Sequence, residues 1–180
     1  ANRLLGRARV TIITHHSDVV RQQGWLRLYG PFLRRVLAAA DRIIATSPRY
    51  IETSPWLSPL RDKCVVVPLG VDTQRFIPPT HQLTNQPTIL FTGRLRYYKG
   101  VDTLLEALAD LPGVHLNVVG EGPMREAWAA QAARLGLSER VHFLGEVSDA
   151  ELPGLYHRAH LFVLPANARA EAFGSVLLEA

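Results

Sequence analysis

The chain has one cysteine and one methionine among its 180 residues. A lone Cys64 excludes an intrachain disulfide. Its run, Cys64-Val65-Val66-Val67, reads as a strand holding an inert buried thiol rather than a nucleophile. With no second cysteine, and with seven histidines that show no ligand spacing beyond the adjacent His15-His16, no zinc set is expected. No apolar run reaches the roughly eighteen residues that a membrane-spanning helix needs. Ala1-Asn2-Arg3-Leu4-Leu5-Gly6-Arg7 lacks the apolar core of a signal peptide, so a cytoplasmic location is expected. Solenoid repeats and low-complexity tracts are also missing. So is any Asp-x-Asp triplet.

What is present is a globular composition, 47% hydrophobic, with 20 basic against 16 acidic residues and a net charge of +4. That balance suits an anionic partner without choosing among nucleic acid, anionic lipid and a small phosphate-bearing substrate. Basic residues cluster early: Arg21, Arg27, Arg34 and Arg35 surround Trp25, Leu26, Leu28, Tyr29, Phe32 and Leu33. Such a mixture can dock on an anionic membrane surface. It equally describes a solvated helix whose core-facing stripe is interrupted at Gly30-Pro31.

Periodicity points to strands alternating with helices, hence to parallel sheets. Strands are expected within 9–14, at 42–45 and at 64–69, with a helix over 32–40. From 72 to 87 the pattern gives way to Pro78, Pro79, Thr80, Gln82, Thr84, Asn85 and Gln86, a linker signature. It then restarts: strands at 88–92, 115–119, 141–144 and 161–164, and helices at about 101–111, 123–135 and 149–157. Pro112-Gly113 and Gly136 read as helix stops, and Ser148 or Asp149 as a helix cap. The division is 1–72, a linker at 73–86, and 87–180. The chain opens without methionine in what reads as a domain interior and ends inside a helix begun at Ser175, which suggests a fragment, poorly active or inactive by itself.

The chemistry concentrates in two places. Gly93-Arg94 follows a strand, and Lys99-Gly100 precedes a helix, so both cations can reach the crevice outside the carboxyl ends of the strands, where open α/β sheets bind ligands. Arginine holds phosphate oxygens bidentately and lysine acts as a point charge, so the pair can stabilise a departing pyrophosphate without a metal. Near the end, Glu171 and Glu179 bracket Phe173-Gly174-Ser175 between an apolar strand and a helix start, a place where a phosphate can meet free N–H groups. Gly120-Glu121-Gly122 opens like a dinucleotide fingerprint, but Arg125 stands where the third glycine belongs, and a nicotinamide site is rejected.

Gly93-Arg94 with Lys99-Gly100, the E-x7-E spacing of Glu171 and Glu179, the stretch Val65 to Asp72 with Phe76, and Val141-His142-Phe143-Leu144-Gly145 together resemble the retaining glycosyltransferases of family 4. The resemblance covers roughly residues 10–180. It implies the GT-B fold, two Rossmann-like parallel-sheet domains facing a cleft, both incomplete here. It also implies transfer of a hexose-type sugar from a UDP- or GDP-linked donor to a glycan or lipid-linked acceptor, with retention of configuration, in surface polysaccharide or lipopolysaccharide synthesis. No cofactor, metal or nucleic acid is implied. Arg94 and Lys99 would hold the leaving diphosphate, Glu171 the sugar hydroxyls and Glu179 the ribose. His16, chosen over His15, would border the reacting sugar. Gly93, Phe173, Gly174 and Ser175 would line the donor site, and Gly145 and Val147 would offer backbone contacts to the base or form a simple turn. Two alternatives remain open: another GT-B enzyme, such as a sugar-nucleotide epimerase or a phosphorylase, and a non-enzymatic basic binding module.

Overall fold

The structure is a computed structural model describing residues 9–18, 23–77, 85–168, 171 and 173–180. These divide into two compact units. One takes in the described residues up to Leu69 with Glu171 and Phe173; the other takes in those of 70–168 with 174–180.

In the first unit β1 (Ile12–Thr14), β2 (Arg42–Ala45) and β3 (Cys64–Val66) form a parallel sheet in that order. Two helices, α1 (Gln23–Ala39) and α2 (Pro48–Thr53), serve as crossovers. Ser47 caps α2, its hydroxyl accepting from the Tyr50 N–H at 3.1 Å, and Pro48 takes a first-turn position where a missing N–H costs nothing. Leu37, Ile43, Ala45, Tyr50, Trp56 and Leu57 make the core. Ile12, Val65 and Val66 are exposed, so the strands at 9–14 and 64–69 are shorter and less buried than their apolar runs suggest.

The first helix is also longer than expected, because Gly30-Pro31 lies within α1 instead of preceding it. Pro31 forfeits one intrahelical hydrogen bond. Gly30 leaves room for Trp56: a β-carbon there would stand 3.2 Å from the indole. The Arg34 guanidinium lies 5.4 Å from the centre of the same ring.

The second unit follows the sequence closely. β4 (Thr88–Thr92), β5 (His115–Val119), β6 (Val141–Gly145) and β7 (Leu161–Phe162) are parallel, in the order β6-β5-β4-β7. The chain builds outward from β4 in one direction and then returns to its other side, so the topological switch point lies between β4 and β7. α3 (Val101–Ala109) buries Val101, Leu104, Leu105 and Leu108 on one stripe, while α4 (Arg125–Arg134) buries Trp128 and Ala132. Arg140 donates to the carbonyls of Leu108, Leu111 and Val114 at 3.3, 2.7 and 3.2 Å, satisfying the end of α3. α5 (Leu152–Arg158) starts with a reciprocal box. The Ser148 N–H donates to Glu151 Oε2 at 3.0 Å, and the Glu151 N–H donates to Ser148 Oγ at 3.3 Å. These bonds to Ser148 also lower the Glu151 pKa. α6 is the short Val176–Glu179.

Within the stretch expected as linker, Thr73–Phe76 forms a 3₁₀ turn. Asp72 caps it, and Phe76 packs edge-on against Tyr156 at 5.6 Å. Residues 78–84 lie outside the described residues, as does Arg21.

Candidate functional site

β4 is buried along its whole length, and the chain leaves it in a bend, Gly93-Arg94-Leu95-Arg96, before a 3₁₀ turn at Tyr97–Lys99. The bend continues the pairing with β5's outgoing loop: the Gly93 N–H donates to the Val119 carbonyl at 3.0 Å, and the Leu95 N–H to that of Glu121 at 2.9 Å. This explains Gly120. Its φ is +119°, and a β-carbon would meet the Gly93 carbonyl oxygen at 2.2 Å, so the residue serves a close crossing of two backbones rather than a dinucleotide turn.

Lys99 is 8% exposed, and its ammonium lies over the bend, 3.3 Å from where a Gly93 β-carbon would be. A 3₁₀ turn therefore returns Lys99 to the glycine that precedes Arg94. Arg94 itself is exposed and lines a cleft of about 500 Å³ with Gly120, Glu121, Gly122 and Glu146. Glu121 is paired there with Arg125 at 3.0 Å. On the other side of β4, at the switch point, Gly100 has a φ of +70°, and a β-carbon on it would lie 2.1 Å from the Pro165 carbonyl oxygen. The Asn167 N–H donates to the Tyr98 carbonyl at 3.2 Å. The loops leaving β4, β5, β6 and β7 thus gather at one edge of the sheet, with both candidate cations among them.

Gly145 accepts from the Gly120 N–H at 2.7 Å, and Val147 packs on the cluster of Leu90, Val119 and Tyr156. Gly174 is buried, with its bare face against Leu164 and Leu177, so its missing side chain makes room for protein packing. Ser175 is exposed ahead of α6. Glu179 Oε2 accepts from the Tyr156 hydroxyl at 2.9 Å. Glu171 and Phe173, both half-buried, belong to the first unit, whereas Gly174, Ser175 and Glu179 belong to the second.

In the first unit His15 and His16 follow β1. His16 is exposed. His15 is half-buried, its Nδ1 2.8 Å from the Tyr50 hydroxyl, and burial lowers its pKa. Tyr50 and Ser54 both donate to Asp18 Oδ1, at 3.1 and 2.7 Å. Burial, then the nearby Asp18 carboxylate, raises the Tyr50 pKa. Among the described residues no three His, Cys, Asp or Glu side chains converge as metal ligands.

Glycosyl transferases group 1 is the family matching residues 73–180, and Glycosyltransferase Family 4 matches residues 1–75. The chain belongs to the group 1 glycosyl transferases. The two matches meet at 73–75, where the sequence pattern breaks. D-rhamnosyltransferase WbpZ of Pseudomonas aeruginosa is 40% identical, over 98% of this chain and 48% of that protein. O-antigen chain mannosyltransferase C of Escherichia coli is 37% identical, over 94% and 47%. Among solved structures, the sucrose-phosphate synthase of Thermosynechococcus elongatus superposes with a TM-score of 0.78 at 25% identity, over 98% of this chain and 49% of its own. The chain spans about half the length of the curated relatives it matches. Its α/β fold with parallel sheets is that of the GT-B glycosyltransferases.

Two polar clusters of this group 1 chain escape sequence reading. One joins His15, Asp18, Tyr50 and Ser54; the other joins Thr92, Tyr156 and Glu179. Asp18 lies two residues past His16, but its partners come from α2 and the turn after it. Nothing local marks Tyr156, which is one aromatic in a helix that needs an aromatic for packing.

Proposed function

We propose that this chain belongs to a retaining glycosyltransferase that moves a hexose-type sugar from a UDP- or GDP-linked donor to a glycan or lipid-linked acceptor. The observation carrying this is the return of the Lys99 ammonium onto the Gly93-Arg94 bend at the switch point of a parallel sheet. That edge is where α/β sheets take phosphorylated ligands. As the anomeric C–O bond breaks, its electron pair passes to the β-phosphate oxygen, and Arg94 and Lys99 stabilise the charge that develops there. The acceptor oxygen bonds to the anomeric carbon from the same face and its proton goes to the departing phosphate, so configuration is kept and no metal is needed. Glu171 and His16 border the transferred sugar. Glu179 accepts from the ribose hydroxyls, a diol that suits a carboxylate's two oxygens. Gly145 and Val147 border the base, and Phe173, Gly174 and Ser175 complete the donor site.

The relatives' names, a D-rhamnosyltransferase and an O-antigen mannosyltransferase, favour a hexose-type donor and surface polysaccharide or lipopolysaccharide assembly. That assembly would run on the cytoplasmic side of a membrane. Leu28, 77% exposed, with Tyr29 and Phe32 on the arginine-bearing α1, suits peripheral contact with anionic lipid. Among the described residues no helix is long and apolar enough to cross a membrane.

The test is calorimetric titration of the chain with UDP and GDP, with and without Mg²⁺. One nucleotide should bind in the absence of metal, and Arg94→Ala should weaken it by about ten- to a hundredfold, the loss expected of charge-assisted phosphate contacts. Binding that neither Arg94→Ala nor Glu179→Ala alters would refute the site. Binding only with Mg²⁺ would refute metal independence.

A further inference from the structure

Thr92, Tyr156 and Glu179 come from β4, α5 and α6 and form a line of hydroxyl, hydroxyl and carboxylate. Thr92 Oγ1 lies 2.9 Å from the Tyr156 hydroxyl, which lies 2.9 Å from Glu179 Oε2. A phenol has one proton, and the carboxylate is the strongest acceptor in reach, so Tyr156 donates to Glu179 and accepts from Thr92. The Val176 carbonyl, at 3.4 Å, is a weaker competitor. The ring cannot swing away. Tyr156 is 8% exposed, edge-on to Phe76 and 5.3 Å from the Phe162 ring centre.

Glu179 is differently placed. It closes a four-residue helix on which Leu177 and Leu178 are exposed. Among the described residues only the Tyr156 hydroxyl hydrogen-bonds its carboxylate. A glutamate held by so little loses affinity to the rotamer entropy of ordering it when ligand arrives.

We propose that Tyr156 is a positioning residue of the donor site, holding Glu179 Oε2 so that the carboxylate's remaining acceptor positions are presented to the ribose diol. Through Thr92 it ties that carboxylate to the strand whose next residues are Gly93 and Arg94. The relay thereby fixes the ribose acceptor and the diphosphate cation on one frame. This rests on the reading of Glu179 as the ribose contact.

The experiment compares a nucleoside diphosphate with its 2′,3′-dideoxy analogue, UDP or GDP according to which binds, by calorimetry on the 180-residue chain. The quantity read is the affinity ratio. Wild type should favour the ribonucleotide. Tyr156→Phe, which keeps the ring, should weaken the ribonucleotide about tenfold and leave the dideoxy analogue unchanged, collapsing the ratio. Thr92→Val should produce part of that loss. A merely structural Tyr156 would lower the melting temperature, or weaken both ligands in equal proportion, with the ratio intact; either pattern overturns the proposal. If Tyr156→Phe keeps the wild-type ratio while Glu179→Gln lowers it, the ribose contact stands and the positioning role falls. If Glu179→Gln also leaves the ratio unchanged, the ribose contact itself fails and takes the proposal with it, whereas Arg94→Ala still reports on the diphosphate end.

Discussion

Gly100→Ala tests the geometry of the switch point, because two separable penalties meet there. The first is conformational: at a φ of +70° an alanine side chain crowds its own backbone, at a cost of about 1–2 kcal/mol. The second is steric. The new β-carbon would stand 2.1 Å from the Pro165 carbonyl oxygen and 3.0 Å from its carbon, and this obstacle is backbone rather than a side chain that can rotate away. Relief requires moving the β7 loop away from the start of α3, a distortion of the kind that costs about 1–3 kcal/mol in overpacked cores. The sum is about 2–5 kcal/mol.

Gly113→Ala isolates the first penalty. Gly113 has a φ of +76°, and a β-carbon added there would meet nothing within 4 Å, so it should lose only the conformational part. Urea unfolding followed by fluorescence, with Trp128 buried in the second unit's core, gives both values at a common slope. Gly100→Ala should exceed Gly113→Ala by about 1–3 kcal/mol. Equal destabilisation by the two substitutions would show that the loops after β4 and β7 do not approach so closely, and the switch-point site would lose its frame.

Arg140→Met should cost about 1 kcal/mol, because three carbonyls at the end of α3 lose a charged but partly exposed donor; no change in the urea midpoint would refute that role. For His15 the pH dependence of stability is the readout. Burial puts its folded pKa below the unfolded value near 6.5, against the pull of Asp18, with Tyr50 and His16 beside it, so the unfolded chain binds the proton first. Stability is then full above about pH 6.5 and falls as pH drops towards the lowered value. His15→Asn should flatten this slope, and an unchanged slope would place the titration elsewhere.

How much of the fold is legible in the sequence follows from how each element is buried. β4 and β5 are readable to the residue because Thr88–Thr92 and His115–Val119 are largely apolar segments bounded by polar turns and covered on both faces. β1 and β3 carry the same kind of run, yet Ile12, Val65 and Val66 are exposed, and composition alone does not report which face is covered. A reading of α1 begins only after Gly30-Pro31 because a local rule about breakers knows nothing of Trp56, which takes the space that Gly30 leaves. Gly120-Glu121-Gly122 opens like a dinucleotide fingerprint, but its glycines serve backbone crossings at Gly93 and Leu95.

The same reasoning explains why the place of Arg94 and Lys99 at the sheet's carboxyl edge is legible in the sequence while that of Tyr156 is not. Each cation sits next to a glycine and to an element boundary, so sequence alone carries it to the carboxyl edge of the sheet. Tyr156 reaches that edge only because β7 returns to the far side of β4, bringing α5 over Thr92 and α6 over the Tyr156 hydroxyl. Strand order is a non-local property, set by which crossover the packing accepts and not by the residues of any one strand. A parallel sheet with a switch point therefore brings two kinds of residue to its carboxyl edge. Those on the loops advertise themselves through glycine and charge; those packed beneath, such as Tyr156, look like ordinary core until the topology is known.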